Sequence, residues 1–329
     1  MRIADVTQRL RRSHEGPDVP PGRRALDFVV IGAMKAGTTS LWQYMATHPD
    51  VFIPGNKEAP YYTSAQASEK GLDWYFTTHF KGAPAHAKWG TATPPYMQGT
   101  TDATPEEVAS RLHADMPDAK LIALLRDPIE RAISQYTHML RKGFENRDPN
   151  EVFRAMLQEP ALKAARKKPK GTNSYIVGGE YGRVLTAYYK AFGPEQILVR
   201  LTTDLAHNPR ETVAEIFEFI GVDPKHVPPN LDERYHKGGT KRRVSPDAIH
   251  SLKAYMDTNV WPRVTRQRAA TRRAFDFWLE TIWNLVGEDV EITLDPQLRA
   301  LLDKHYRQDA EILTKLIGRP VPWGPGRIR

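Results

Sequence analysis

The chain has 329 residues, 40% of them hydrophobic and 26% charged, and carries a net charge of +8. That length buries a full core as one large α/β domain or one domain with appendages, and the basic balance suits an acidic ligand, nucleic acid or an anionic membrane. With no cysteine, disulfides and thiolate metal sites are excluded and a cytoplasmic setting is the natural expectation; nor is any stretch apolar for long enough to cross a bilayer as a helix.

Residues 1–25 carry Arg2, Arg9, Arg11, Arg12, Arg23 and Arg24 without the apolar stretch a secretory signal needs. They read as a flexible basic arm. Phe28-Val29-Val30-Ile31 is a short apolar run that suits a strand buried on both faces of a parallel sheet. Gly32 to Gly37 form a loop, and Thr38-Thr39-Ser40 open a helix running to about Ala46. Strand, glycine loop and helix start turn free backbone N–H groups and the positive helix end toward an anion, here a phosphate. A Walker A loop places its lysine directly after the second glycine. Here Thr38 holds that place and Lys35 sits inside the loop. A glycine-rich turn without a cofactor and an unusual P-loop NTPase both stay open at this point.

Val51-Phe52-Ile53 predicts a second strand, after which Pro54-Gly55-Asn56 turns the chain into Lys57-Glu58 and Tyr61-Tyr62. Residues 71–80 read as a short aromatic helix, and Thr91 to Tyr96 as extended, because Pro94 and Pro95 bar the helix before them. Thr104-Pro105-Glu106-Glu107 is a capping-box helix start. Lys120 to Leu125 predicts a buried strand ending at Arg126-Asp127-Pro128, followed by a helix from Ile129 to Lys142. The polar, lysine-rich stretch 149–171 reads as a helical excursion on the surface. Glu180 to Phe192 is amphipathic, Ile197-Leu198-Val199 is a further strand, and Asn208-Pro209 starts a helix through Ile220. Strands alternating with helices give a doubly wound parallel sheet flanked by helices, a P-loop-like three-layer α/β fold with ligands at the carboxyl ends of its strands.

Arg126 stands where an NTPase usually carries an acidic magnesium ligand. A guanidinium there makes bidentate contacts to a phosphate, and Ser134 adds a hydroxyl two turns into the next helix; pairing of Arg126 with Asp127 or Asp118 is the alternative. Lys35-Ala36-Gly37-Thr38-Thr39-Ser40 and Arg126-Asp-Pro-Ile-Glu-Arg131-Ala-Ile-Ser134 together resemble the 5′- and 3′-phosphate motifs of the sulfotransferases that use 3′-phosphoadenosine-5′-phosphosulfate (PAPS), and of these the heparan-sulfate-type branch more than the small-phenol branch. The resemblance covers most of residues 27–240 and returns at 294–323. It implies a PAPS-binding core over 26–240, a basic and aromatic helical insertion over 241–293, and a C-terminal helix and tail over 294–329.

The resemblance further implies that Lys35 and the Ala36–Ser40 stretch grip the phosphosulfate end, while Arg126 and Ser134 grip the 3′-phosphate. Lys237-Gly238-Gly239-Thr240-Lys241 is similar to the family's loop over the 3′-phosphate and adenine, without the cystine-closed hairpin that precedes it in the secreted enzymes. A basic solvated loop or a nucleic-acid patch is its other reading. Lys57-Glu58-x-x-Tyr61-Tyr62 resembles the segment whose glutamate is the catalytic base, so Glu58 is the expected base, with Tyr61-Tyr62 holding an acceptor beside it. His138 is the alternative base, and a Lys57–Glu58 surface segment is the alternative to both. Where the heparan-type enzymes carry a Glu-Lys pair before Thr/Ser-Pro, this chain reads Thr91-Ala92-Thr93-Pro94, so the family's second active-site lysine is absent and an anionic glycan acceptor is in doubt.

The expected function is sulfuryl transfer from PAPS to a hydroxyl or amine of a saccharide, lipid or small molecule, leaving 3′-phosphoadenosine-5′-phosphate (PAP), with no metal. A P-loop kinase or NTPase is the alternative enzyme. A nucleic-acid-binding protein is the alternative class, but the cations gather at loops sized for one nucleotide and not along one helix face. The basic-then-aromatic stretch 262–287 fits packing on the core or a second subunit, an anionic membrane surface, or an acceptor lid.

Overall fold

β1 (Phe28–Gly32) is buried at every residue and lies at the centre of the sheet, so its side chains must be apolar on both faces. The computed structural model describes residues 25–142, 144–233, 242–243, 288–289 and 292–323. The basic arm up to Arg24, the Lys237–Lys241 loop and nearly all of the 241–293 insertion, including 262–287, lie outside the described residues.

From β1 the chain runs through α1 (Thr38–Met45), β2 (Val51–Phe52), α2 (Ala65–Ser68), α3 (Gly71–His79), β3 (Lys88–Ala92), α4 (Pro95–Gln98), α5 (Pro105–Asp115) and β4 (Lys120–Leu125). Next come α6 (Pro128–Arg141), α7 (Pro149–Met156), α8 (Glu159–Lys167), α9 (Tyr181–Ala191), β5 (Ile197–Leu201), α10 (Thr202–His207) and α11 (Pro209–Ile220). The strands pair in the order β2-β3-β1-β4-β5, all parallel, with Val29 beside Thr91 on one side and Leu121 on the other. β6 (Arg242–Arg243) and β7 (Glu288–Asp289) form a separate antiparallel pair, and α12 (Pro296–Ile317) follows.

The period of two along each strand divides the core. Val29, Ile31, Leu121 and Leu125 face a cluster completed by Leu112 of α5, Leu185 and Tyr188 of α9 and Leu313 of α12. Phe28, Val30, Ile122 and Leu124 face the opposite cluster, with Leu41 and Met45 of α1 and Ile216 and Phe217 of α11. Each such side chain taken fully out of water contributes about 1.5–3 kcal/mol before chain entropy is counted. The doubly wound three-layer α/β fold read from the sequence is the fold observed.

One strand joins those read from the sequence, and two local readings are corrected. Residues 88–92 form a central strand, β3, although Gly90 interrupts the apolar pattern. A side chain there would sit 2.3 Å from the ring of Phe28, so glycine is what lets β1 and β3 pair closely. Pro94 and Pro95 do not keep the chain extended through Tyr96, because Pro95 occupies the first turn of α4, where a missing N–H costs nothing. The 149–171 stretch is not a surface excursion alone: Val152, Phe153, Met156, Leu162 and Ala165 are buried in a third cluster with Tyr136 of α6 and Tyr306 of α12.

Candidate active site

A parallel sheet delivers all its strand ends to one edge. Here that edge gathers the loop after β1, the Lys57–Glu58 segment after β2, Thr93 after β3, Arg126 after β4 and Thr202 after β5. The chain crosses from one side of β1 to the other between β3 and β4, which is the position where open α/β sheets bind ligands.

The loop after β1 turns through two left-handed residues, Lys35 at φ 69° and Gly37 at φ 94°. Gly37 is the N-cap of α1 and supplies no side chain to its first turn, so the first N–H groups of α1 face the site without the usual cap. Ala33 N–H donates to the Leu124 carbonyl at 2.8 Å, the Ala36 carbonyl accepts from the Thr202 hydroxyl at 2.6 Å, and the Lys35 carbonyl accepts a long 3.5 Å contact from Arg126 Nη1. Thr38 is buried, and Thr39 and Ser40 are half-buried. A glycine-lined turn with a positive helix end and two flanking cations is chemically suited to a phosphate group.

Arg126 is one third exposed. Among the described residues it pairs with Glu130 Oε2 at 4.0 Å, and that carboxylate is already held by Arg299 of α12 at 2.8 Å. Neither sequence alternative for Arg126 is what forms: Asp127 caps α6, accepting from Ile129 N–H at 2.9 Å and Glu130 N–H at 3.0 Å. The Tyr181 hydroxyl donates to the Arg126 carbonyl at 3.0 Å and fixes the end of β4. Ser134 is half-buried on α6, with half-buried His138 one turn beyond it.

Glu58 leaves the buried strand end with its side chain 45% exposed. The aromatic pair expected to line an acceptor site beside Glu58 is not what forms. Both rings turn into the core, where Tyr61 meets Tyr75 at 5.2 Å and Tyr62 meets Tyr96 at 5.6 Å between centroids. Burial raises both phenols above their ordinary range, so they stay protonated.

Lys57, which sequence reasoning left out of the site, lies inside it. Its Nζ is 3.3 Å from Thr38 Oγ1, 3.2 Å from Thr39 Oγ1 and 3.7 Å from Glu58 Oε1. Burial lowers its ammonium below the ordinary lysine value, and the neighbouring Glu58 carboxylate acts in the opposite direction. Its place directly before Glu58 marks the segment but does not single out the lysine. Its left-handed backbone, φ 62°, carries the side chain back toward α1, and nothing in a lysine announces that conformation.

A family model described as "Sulfotransferase domain" matches residues 26–262. The chain is 37% identical over 126 residues to "Membrane-associated sulfotransferase kil1" of Dictyostelium discoideum, covering 37% of this chain and 25% of that protein. It is 33% identical over 206 residues to "Heparan sulfate glucosamine 3-O-sulfotransferase 6" of Homo sapiens, covering 61% of this chain and 54% of that protein. The chain thus spans about a quarter of the first relative's length and about half of the second's. The sulfotransferase from Alicyclobacillus acidocaldarius superposes with a TM-score of 0.61 at 22% identity, over 90% of this chain and 97% of that one, and shares the fold.

Proposed function

The chain belongs to the sulfotransferase domain family, and on that premise we propose that it transfers a sulfuryl group from PAPS to a hydroxyl or amine of a saccharide, lipid or small-molecule acceptor. The observation that carries the reading is the convergence, on one edge of the sheet, of the Lys35 loop, the Lys57–Glu58 segment and Arg126.

PAPS would supply the sulfuryl group. Lys35, the backbone of Ala36 and Gly37, and Thr38, Thr39 and Ser40 would hold its 5′ end. Arg126 and Ser134 would hold the 3′-phosphate; among the described residues the carboxylate paired with Arg126 is that of Glu130, at 4.0 Å. Glu58, nearly half exposed beside Lys57, would take the acceptor's proton. As the acceptor oxygen or nitrogen bonds to sulfur, the sulfur–oxygen bond to the 5′-phosphate breaks. Its electron pair stays on the phosphate, and positive groups fixed in place beforehand stabilise the charge that develops there. His138 on α6 is kept as the alternative base.

Calorimetric titration with PAP, set against ATP with magnesium, tests the reading. PAP binding with ATP binding much weaker supports it, and the reverse order supports a kinase or NTPase. Radiolabelled PAPS offered with a panel of saccharide, lipid and small-molecule acceptors then identifies what is sulfated, and at oxygen or nitrogen.

A further inference from the structure

The position of Lys57 is unfavourable for a cation unless an anion joins it. Its side chain is only 13% exposed, and it ends at the first turn of α1, the positive end of the helix. Two neutral hydroxyls receive it there. Glu58, at 3.7 Å, is its one charged partner among the described contacts, and burial outweighs that carboxylate in setting its acidity. A lysine whose role was to stabilise the fold would be expected at a helix C-terminus, or in open solvent.

Its backbone is nonetheless held firmly in this place. Lys57 N–H donates to the Pro54 carbonyl at 2.9 Å, and the Lys57 carbonyl accepts from Ala92 N–H and from the Thr91 hydroxyl, both at 3.2 Å. Thr91 Oγ1 lies 2.9 Å from Thr93 Oγ1, which accepts from Ala59 N–H at 3.2 Å, and the Tyr96 hydroxyl donates to the Ala59 carbonyl at 2.9 Å. The end of β3 and the residues that follow it are therefore spent on fixing the Lys57–Ala59 backbone, left-handed φ included. A strained conformation held from several sides is a pattern found at functional sites.

We propose, resting on the sulfotransferase reading above, that Lys57 is a second cation of the phosphosulfate site and donates to the oxygen on which the 5′-phosphate departs. In the free site its ammonium rests on the Thr38 and Thr39 hydroxyls. With the nucleotide bound it turns to the phosphate while remaining protonated. The acceptor's proton goes to Glu58, so the two neighbours share the step: one takes the proton and the other meets the leaving charge.

The test needs no acceptor. PAP and adenosine 3′-phosphate, which lacks the 5′-phosphate, are titrated into wild type, K57M, K57R and R126A. K57M is expected to lose roughly ten- to a hundredfold in affinity for PAP, the range of one charged hydrogen bond, and little for adenosine 3′-phosphate. R126A should lose affinity for both. Wild type should also take up protons as it binds PAP at alkaline pH, read from the buffer dependence of the heat, and K57R should take up fewer while keeping its affinity. If K57M does not fold, K57R carries the test through this proton count. A K57M protein that binds PAP as tightly as wild type, or that weakens toward both ligands alike, overturns the proposal and leaves the sulfotransferase reading standing. Unchanged proton uptake in K57R does the same. A wild type that does not bind PAP overturns both together.

Discussion

The hydroxyl of Thr202 lies 2.6 Å from the carbonyl oxygen of Ala36, and its 3.0 Å contact to the Leu125 carbonyl places it between the phosphate loop and the end of β4. One side chain at the end of the edge strand thus braces the two elements that carry Lys35 and Arg126. Thr202→Val keeps the shape and removes the donor. Affinity for PAP should fall by a few-fold, in keeping with one neutral hydrogen bond worth about 0.5–1.5 kcal/mol, while the melting temperature moves little. Titration calorimetry with PAP checks it.

Lys35→Ala should abolish turnover, whereas Arg126→Ala and Ser134→Ala should act on nucleotide affinity. A lost charged hydrogen bond to phosphate costs about 1.5–3 kcal/mol, so Arg126→Ala is expected to weaken PAP by roughly ten- to a hundredfold. An Arg126→Ala protein that binds PAP normally would remove that residue from the site.

Glu58→Gln retains the size of the side chain but cannot take a proton from the acceptor. Turnover should drop by roughly 10²–10⁴, the usual contribution of a general base, with PAP affinity nearly unchanged. Should Glu58→Gln turn over at near-normal rates while His138→Ala does not, the base is on α6.

Glu180 and Asp309 make opposite contributions to stability as pH changes. Burial alone would raise the Glu180 carboxyl, but His305, Arg166 and Arg183 bond to it and hold it down at about 2. Its folded value lies below its unfolded value, so its stabilisation is present above about pH 4.5 and is lost as pH falls toward 2. Asp309 accepts from Gly182 and Arg183 N–H at 2.8 Å, yet burial raises it to about 6. Its ionisation therefore costs stability as pH rises from 3.8 through about 6. Urea titrations across pH should show Glu180→Gln destabilised by about 3 kcal/mol at neutral pH, as for a broken buried ion pair, with the gap to wild type closing in acid. Asp309→Asn should flatten the slope between pH 4 and 6.

Strands with continuous apolar runs, β1, β4 and β5, were legible in the sequence because nothing else explains Phe28–Ile31 or Leu121–Leu125. The capping box at Thr104 and Glu107 formed as its spacing predicts. β3 was not legible, because its central residue is chosen for the ring of Phe28 across the sheet and not for strand propensity. The same distinction applies to the site. Lys35, Glu58 and Arg126 stand at strand ends and could be named from their places in the chain. Lys57 and Thr202 could not, since one depends on a left-handed backbone and the other on a neighbour 166 residues away. Tyr61 and Tyr62 were legible as aromatics beside Glu58, but the direction in which their rings point is decided by Tyr75 and Tyr96.

The antiparallel pairing of Arg242–Arg243 with Glu288–Asp289 brings the two ends of an excursion side by side. Whatever residues 244–287 do, the chain leaves and re-enters at one doorway. Paired strand ends lie close together, so a single short turn from Arg243 to Glu288 is the deletion that this pairing suggests. Grafting the corresponding stretch of another family member onto the same doorway would ask whether acceptor choice travels with it.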